Sequence, residues 1–426
     1  MTATHPAGRA SRVRPALGAT GVRRRERALA PDLARGLMLL LIAVSNTAYH
    51  LWAAERGPSG WHPVDGSTAD SVAQFIMITT LDLRVFPLFA FLFGYGMTQL
   101  YLRQTASGTS ERDAVRLLRR RSLWLIVIGL AHSALLMAGD IVAFYGVVSL
   151  VIGWLVLRRG ERALRWWIIA ATAQLVLLSA RPVVVALLSG DDPLSLGDAS
   201  AEPGYVAYGA HEESWLEAAG TRVLTGAFVT FLAAPMALVG GGYVVFLLGF
   251  WAARRRILEE PGRHLRLLRV TAVAGILVGW LGGLPAALAH VGLWEVPDNA
   301  QSESGVLTGL REFTGNAAGL GYVAAVALFA HWWSGRRARR GSRLVTAVAA
   351  VGARSLSCYL THSLLFAPLL SAWGLGLGEH LGSASVVLVA LAVWGVTVAG
   401  AYALHLAGRR GPAEALLRRL MYGRRP

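Results

Sequence analysis

Several titratable side chains sit inside otherwise apolar runs, where a charge is costly and is kept for a purpose. His132 and Asp140 are eight residues apart in "GLAHSALLMAGDIVAFYGV". An imidazole backed by a carboxylate is a general base, able to take a proton from a hydroxyl or an amine. His62, in "WHPVDGSTAD", is a second candidate base, with Asp70 or Asp140 as its orienting carboxylate. Asn46 cannot be a base, but its amide can donate a hydrogen bond to a developing oxyanion. Arg35, Arg84 and Arg354 are intramembrane guanidiniums suited to phosphate or carboxylate.

The spacing of these residues groups them. Asp32 precedes Arg35 by three residues, so the two share a helix face and can pair. Asn46 follows Arg35 by eleven residues, close to three turns, and His50 lies one turn further. One helix therefore carries a polar stripe from Arg35 to His50. Asp82 and Arg84 are two residues apart and do not face each other on a helix. Either each has its own partner, or the segment is broken before Pro87. Arg354 and His362, eight residues apart, share a face of "VGARSLSCYLTHSLLF". The candidate catalytic set is His132, Asp140, His62 and Asn46. The candidate binding set is Arg35, Arg354, Asp32, Arg84, His362 and His50. Each has a plainer reading too. Asp140 can cap a helix, and His132 can be a hydrogen-bonded packing residue. Asp32 and Arg35 can snorkel to the interface as a pair, with Asn46 bonding a neighbouring helix.

No Walker loop, dinucleotide-binding GxGxxG, HExxH or paired cysteine occurs. The single cysteine, Cys358, excludes a disulfide within the chain, and no metal site is expected. Neither is a tightly bound cofactor.

The elements that must position these residues are membrane helices. The chain has 426 residues, 54% of them hydrophobic and only 15% charged. Runs such as "GLMLLLIAVSNTAYHLW" are long enough to cross a bilayer as helices. Alternating strand segments are lacking, which argues against an outer-membrane barrel. The spacing predicts an all-α polytopic bundle of about ten spans, near 33–53, 73–101, 122–138, 141–158, 166–188, 222–252, 269–290, 317–333, 344–371 and 385–407. All 41 basic residues are Arg, and the net charge is +16. They concentrate in the N-terminal tail, in 102–121, 158–165, 254–269 and 335–343, and at the C-terminus, which together hold about 34 of them. The intervening loops hold few Arg and most of the acids. That alternation predicts both termini on the cytoplasmic side of a bacterial inner or plasma membrane. It also explains the positive charge by topology, so no nucleic-acid partner is expected.

The domain reading is a disordered Arg-rich tail over 1–30, a five-span half over 31–220 and a second five-span half over 221–426. The long acidic loops 189–221 and 291–316 fall outside the cell. Spans one, two, three, four and nine carry the buried charges and are expected to enclose one polar cavity. Spans five, seven and ten are expected to face lipid. The oligomeric state is not encoded legibly.

Several of these stretches together resemble the YeiB family, which carries domain of unknown function 418. They are "DLARGLMLLLIAVSN" (32–46), "RVFPLFAFLFGYGM" (84–97), "IGLAHSALLMAGDIVAFYGV" (128–147), "VGARSLSCYLTHSLL" (351–365), "WGLGLGE" (373–379) and "GPAEALLRRLMYG" (411–423). They cover nearly the whole chain after residue 30. The family is distantly similar to transmembrane acyltransferases such as heparan-α-glucosaminide N-acetyltransferase. In those relatives an Arg on the first span is followed eleven residues later by His. Arg35 matches the Arg, whereas Asn46 stands at the His position. His62, with Gly66 and Asp70, loosely matches a loop pattern of the heparan enzyme. Tyr359-Leu360-Thr361-His362 looks like the Tyr-Leu-x-His pattern of the acyltransferases.

The resemblance implies a membrane-bound O- or N-acyltransferase. Acyl-CoA would be the donor, entering from the cytoplasmic face with Arg35 and Arg354 on its phosphates. A lipid or glycan would be the acceptor on the outer face. The rival expectation is a transporter or flippase for a lipid or an anionic metabolite, with the polar stripe lining its path. A non-catalytic scaffold is the third.

Overall fold

The computed structural model describes residues 28–198, 203–335 and 342–423. Nearly all of the tail 1–30 and most of the Arg-rich stretch 335–343 lie outside the described residues. Among those described, regular structure is helical, and the one β feature is an isolated bridge between Arg56 and Pro63.

In chain order the helices are α1 (Leu29–Ser45), α2 (Thr68–Thr80), α3 (Val85–Ala106), α4 (Glu111–Leu135), α5 (Ile141–Val156), α6 (Glu161–Ser189), α7 (Trp215–Phe228) and α8 (Ala234–Val239). They continue with α9 (Val244–Arg254), α10 (Leu265–His290), α11 (Asp298–Gln301), α12 (Val306–Gly335), α13 (Arg343–Gly352), α14 (Ser355–Leu370), α15 (Ser383–Leu406) and α16 (Pro412–Tyr422). Seven helical stretches are long and apolar enough to cross a membrane: Leu29–His50, Val85–Ala106, Glu161–Ser189, Trp215–Val239, Pro261–His290, Asp298–Gly335 and Ser383–Leu406. The pair α13 and α14 makes an eighth if its two parts, bent by 87°, act as one span. The chain is a helical membrane protein.

Three of the expected spans are broken. Residues 73–101 divide into α2 and α3 around a turn at Leu81–Arg84, where Leu83 takes a φ of 61°. A leucine there is strained, a state that surrounding structure must hold in place. Residues 222–252 divide after a π-helical stretch, Val229–Ala233, at the run Gly240–Gly242. Residues 344–371 divide at Ala353–Arg354. Each break frees backbone carbonyls or N–H groups, and side chains satisfy them. Arg354 donates to Ala350 O at 3.1 Å and to Arg409 O at 2.6 Å. Glu414, from the "GPAE" that opens α16, accepts from Leu356 N at 2.8 Å and Ser357 N at 3.1 Å. It acts as the missing cap of α14.

The bundle is held by close backbone approaches. A Cβ on Gly352 would stand 1.7 Å from Asp32 O, and one on Gly36 would stand 2.1 Å from Val348 O. These two glycines seat α13 on α1. Gly352→Val is therefore expected to overpack the contact and destabilise the fold by about 1–3 kcal/mol or more. A lowered melting temperature in detergent is the readout, and an unchanged one would show that α13 can shift off α1 freely. The main apolar core lies among α1, α3, α5 and α9, with Leu39, Leu92, Ile152, Phe246 and Phe250 fully buried. The outward face of α6 exposes Leu177, Val185 and Leu188 and buries little, as a lipid-facing span does. By contrast α10 packs along α12, and its last residue joins the polar cluster described next. The expectation that span seven merely faces lipid is corrected on that point.

Candidate functional site

Two histidine–aspartate pairs are buried at the end of the bundle where α1 stops. The first is His132 on α4 with Asp140 at the start of α5. The tight turn after α4 brings them together: His132 Nδ1 and Asp140 Oδ2 are 2.6 Å apart. Asp140 Oδ1 accepts from Ala143 N at 2.7 Å, so the same carboxylate caps α5 and holds His132. The Tyr359 hydroxyl accepts from Ile141 N, the residue next to Asp140, at 3.4 Å. With Nδ1–H donating its hydrogen bond to the carboxylate, the neutral ring carries its lone pair on Nε2. That nitrogen is buried and has no hydrogen-bond partner.

The second pair is His62 with Asp82. Nε2 of His62 lies 2.7 Å from Asp82 Oδ2. Ser45 Oγ donates to Asp82 Oδ1 at 3.0 Å, and Arg311 Nη2 stands 3.6 Å from Oδ2. The broken turn before α3 and the strained Leu83 place the Asp82 side chain here. His290, at the end of α10, lies edge-on to His62 with ring centroids 5.7 Å apart, and its Nε2 donates to Pro63 O at 3.0 Å. His62 Nδ1 has no partner. The carboxylate expected behind His62 was Asp70 or Asp140, and the structure puts Asp82 there. Asp70 is used elsewhere. It completes the Ser67 capping box of α2 and accepts from Ala384 N at 2.8 Å, fixing the start of α15. Burial raises its pKa, and the hydrogen bonds from Ser67 and Ala384 outweigh that and leave it below the usual value.

Aromatic rings lie between the pairs. Tyr49 stacks on Tyr208 with centroids 3.9 Å apart and meets Trp61 edge-on at 4.4 Å. Tyr208 belongs to the long acidic loop, so that loop folds over the site rather than hanging free. Arg222 on α7 anchors it further by donating to Ala134 O at 3.2 Å.

A narrow crevice opens beside Tyr359. It is lined by Asn46, His50, Tyr359, His362 and Ser363 among apolar residues, with about 10 Å³ of water-accessible space, room for a single water molecule. His132 does not line it, but the His132 ring packs on Tyr359, which does, with centroids 5.2 Å apart. The helix α1 changes to a 3-10 turn at Asn46–His50, so the predicted stripe is not one continuous α-helical face. Asn46 and His50 still meet in one crevice. His50 Nδ1 and His362 Nδ1 have no partner, and His362 Nε2 donates to Thr397 Oγ1 at 3.2 Å.

The arginines separate into two roles. Arg84 is fully buried and donates to Gly279 O at 2.7 Å and to Asp82 O, stapling the α2–α3 break to α10. Arg354 staples the α13–α14 break. Both sit on backbone carbonyls. Arg35 pairs with Asp32 at 3.4 Å, as their spacing predicts, and their side chains keep 21% and 15% exposure. Among the described residues no group of three or more His, Cys, Asp or Glu is placed to hold a metal ion.

Residues 252–424 match the family described as "Protein of unknown function (DUF418)". The match covers the C-terminal part of the chain. The chain is also 25% identical over 414 residues to the Bacillus subtilis (strain 168) protein named "Uncharacterized protein YxaH", an alignment that covers 92% of this chain and 93% of that one. No solved structure matches. Both histidine pairs precede the DUF418 region, yet the region completes each of them. It supplies Arg311 and His290 to the second pair and Tyr359 to the first.

Arg311, Tyr49, Tyr208 and His290 were not singled out from the sequence. Arg311 had a signal: it is one of the few arginines in the acid-rich loops, and it lies in a stretch assigned to a loop that here is the beginning of α12. The tyrosines had none, because an aromatic residue near a membrane surface is ordinary.

Proposed function

We propose that this chain is a transmembrane acyltransferase of a bacterial cell membrane, with His132 as the general base. The observation that carries the reading is the His132–Asp140 pair. Its carboxylate fixes the tautomer, its Nε2 is uncommitted, and it stands beside a crevice lined by Asn46. In the reaction His132 takes the proton from an acceptor hydroxyl or amine as the oxygen or nitrogen attacks the thioester carbonyl. Asn46 donates to the oxyanion that forms. The C–S bond then breaks, and the thiol leaves with the proton that His132 held. The crevice must widen for this, since it holds only one water in this conformation. Arg35, at the other end of α1, holds phosphate of the acyl-CoA donor. The acceptor is a lipid or glycan at the outer face.

The test is transfer of label from acyl-CoA on membranes that contain the protein. Label moved to a lipid or glycan supports the reading. Movement of an unmodified lipid or solute with no thiol release replaces it with a transporter.

The topology that goes with this reading has both termini in the cytoplasm and about ten spans. Cysteine placed at position 195, in a background with Cys358→Ala, is expected to react with an impermeant thiol reagent outside the cell. Cysteine at position 110 is expected not to react. The reverse pattern would invert the site and put the histidine pairs on the cytoplasmic side.

A further inference from the structure

Phe93 and Gly96 lie three residues apart on α3 and share one face. Arginines from two other helices close on that face. The Arg35 guanidinium, from α1, lies 2.8 Å from where a Cβ on Gly96 would stand. The Arg121 guanidinium, from α4, lies over the Phe93 ring, 4.8 Å from its centroid. The two are near enough for their like charges to repel. Nearby carboxylates are engaged. Asp32 pairs with Arg35 at 3.4 Å, and Glu259 accepts from Tyr95 and Gln99. Nη1 of Arg121 is buried with no hydrogen-bond partner. The partial exposure of Arg35 and Asp32 leaves a way in.

We infer that Arg35 and Arg121 together form a binding site for a phosphate-bearing ligand. Two guanidiniums converging from different helices can each give a pair of parallel N–H bonds to one phosphate, and the bound anion removes their mutual repulsion. The smallness of Gly96 admits Arg35, and the Phe93 face steadies Arg121. Arg354, expected beside Arg35 as the second anchor, spends its guanidinium on Ala350 O and Arg409 O, and Arg121 takes that place. The inference rests on the acyltransferase reading only for the name of the ligand, the pyrophosphate of CoA. A soluble pyrophosphate and a phospholipid headgroup share the same chemistry.

The test uses the full chain in nanodiscs of phosphatidylcholine, with pyrophosphate and CoA as probes and thermal unfolding as the readout, since a ligand of the folded state raises the melting temperature. Both probes are expected to stabilise the parent. Arg121→Gln is expected to need about tenfold more of either, the loss typical of a charged hydrogen bond. Arg121→Lys should fall between, which separates a binding role from a folding one. If pyrophosphate does nothing but discs containing phosphatidylglycerol stabilise the parent more than Arg121→Gln, the site stands and a lipid fills it. Equal responses of parent and Arg121→Gln to every probe overturn the site. Turnover of acyl-CoA at the parent rate and KM in Arg121→Gln also overturns it, while leaving the transferase reading intact. Arg121-dependent binding without any turnover sinks the transferase reading and leaves the site.

Discussion

Replacing His132 with Gln is expected to lower acyl transfer by about 10²–10⁴-fold, the usual contribution of a positioned general base. Gln keeps an amide donor for Asp140, so the cap of α5, which uses the other carboxylate oxygen, survives. Donor binding is expected to be unchanged, because Arg35 lies at the far end of α1. Asp140→Asn is expected to lower transfer too, by letting the ring adopt the wrong tautomer. It should cost some stability as well, since the charged carboxylate also caps the start of α5 through Ala143 N. Steady-state rates and donor affinity, measured on the same preparations, separate these effects. A His132→Gln protein that folds, binds CoA and transfers at the parent rate would rule out His132 as the base.

The largest effect on stability is expected at Asp82. Its carboxylate serves the buried His62 and Arg311 and the half-buried Ser45. Asp82→Leu leaves the Arg311 guanidinium buried without a counter-charge, a loss of about 3–5 kcal/mol by comparison with other broken buried pairs. The double change Asp82→Leu with Arg311→Met removes both charges and is expected to recover much of that loss, as apolar replacement of a whole ion pair often does. The coupling between the two positions, measured by thermal unfolding of all four proteins, reads the pair directly. Asp82→Leu alone melting like the parent would mean that the Arg311 charge is satisfied elsewhere.

Much of this arrangement is legible in the sequence, for reasons that can be named. Asp140 lies in the tight turn that follows the helix of His132, between two apolar runs, so the chain has no room to separate them. Asp32 and Arg35 are one helical turn apart, so their pairing is a local matter. The partner of His62 was hidden because it depends on a break. A continuous helix over 73–101 would not turn Asp82 inward, and nothing local announces that leucine at position 83 takes a left-handed conformation. Arg354 reads as a free intramembrane cation until the bend at Ala353–Arg354 shows which carbonyls it must serve. The same bend gives "GPAEALLRRLMYG" a structural task, since its Glu414 caps α14 from 58 residues further along the chain. The tyrosines that link the two pairs come from segments 159 and 151 residues apart along the chain (Tyr49 to Tyr208, Tyr208 to Tyr359), and only the folded bundle joins them.

The measurement that tests the central claim most directly uses sealed vesicles with a labelled acyl-CoA supplied to the Arg-rich face. The parent protein is expected to place label on an acceptor at the opposite face and to release one free thiol for each acyl group moved. The protein carrying both His62→Ala and His132→Ala, still folded and still binding CoA, is expected to do neither. Label transfer by that double variant at the parent rate would contradict histidine base chemistry at this site.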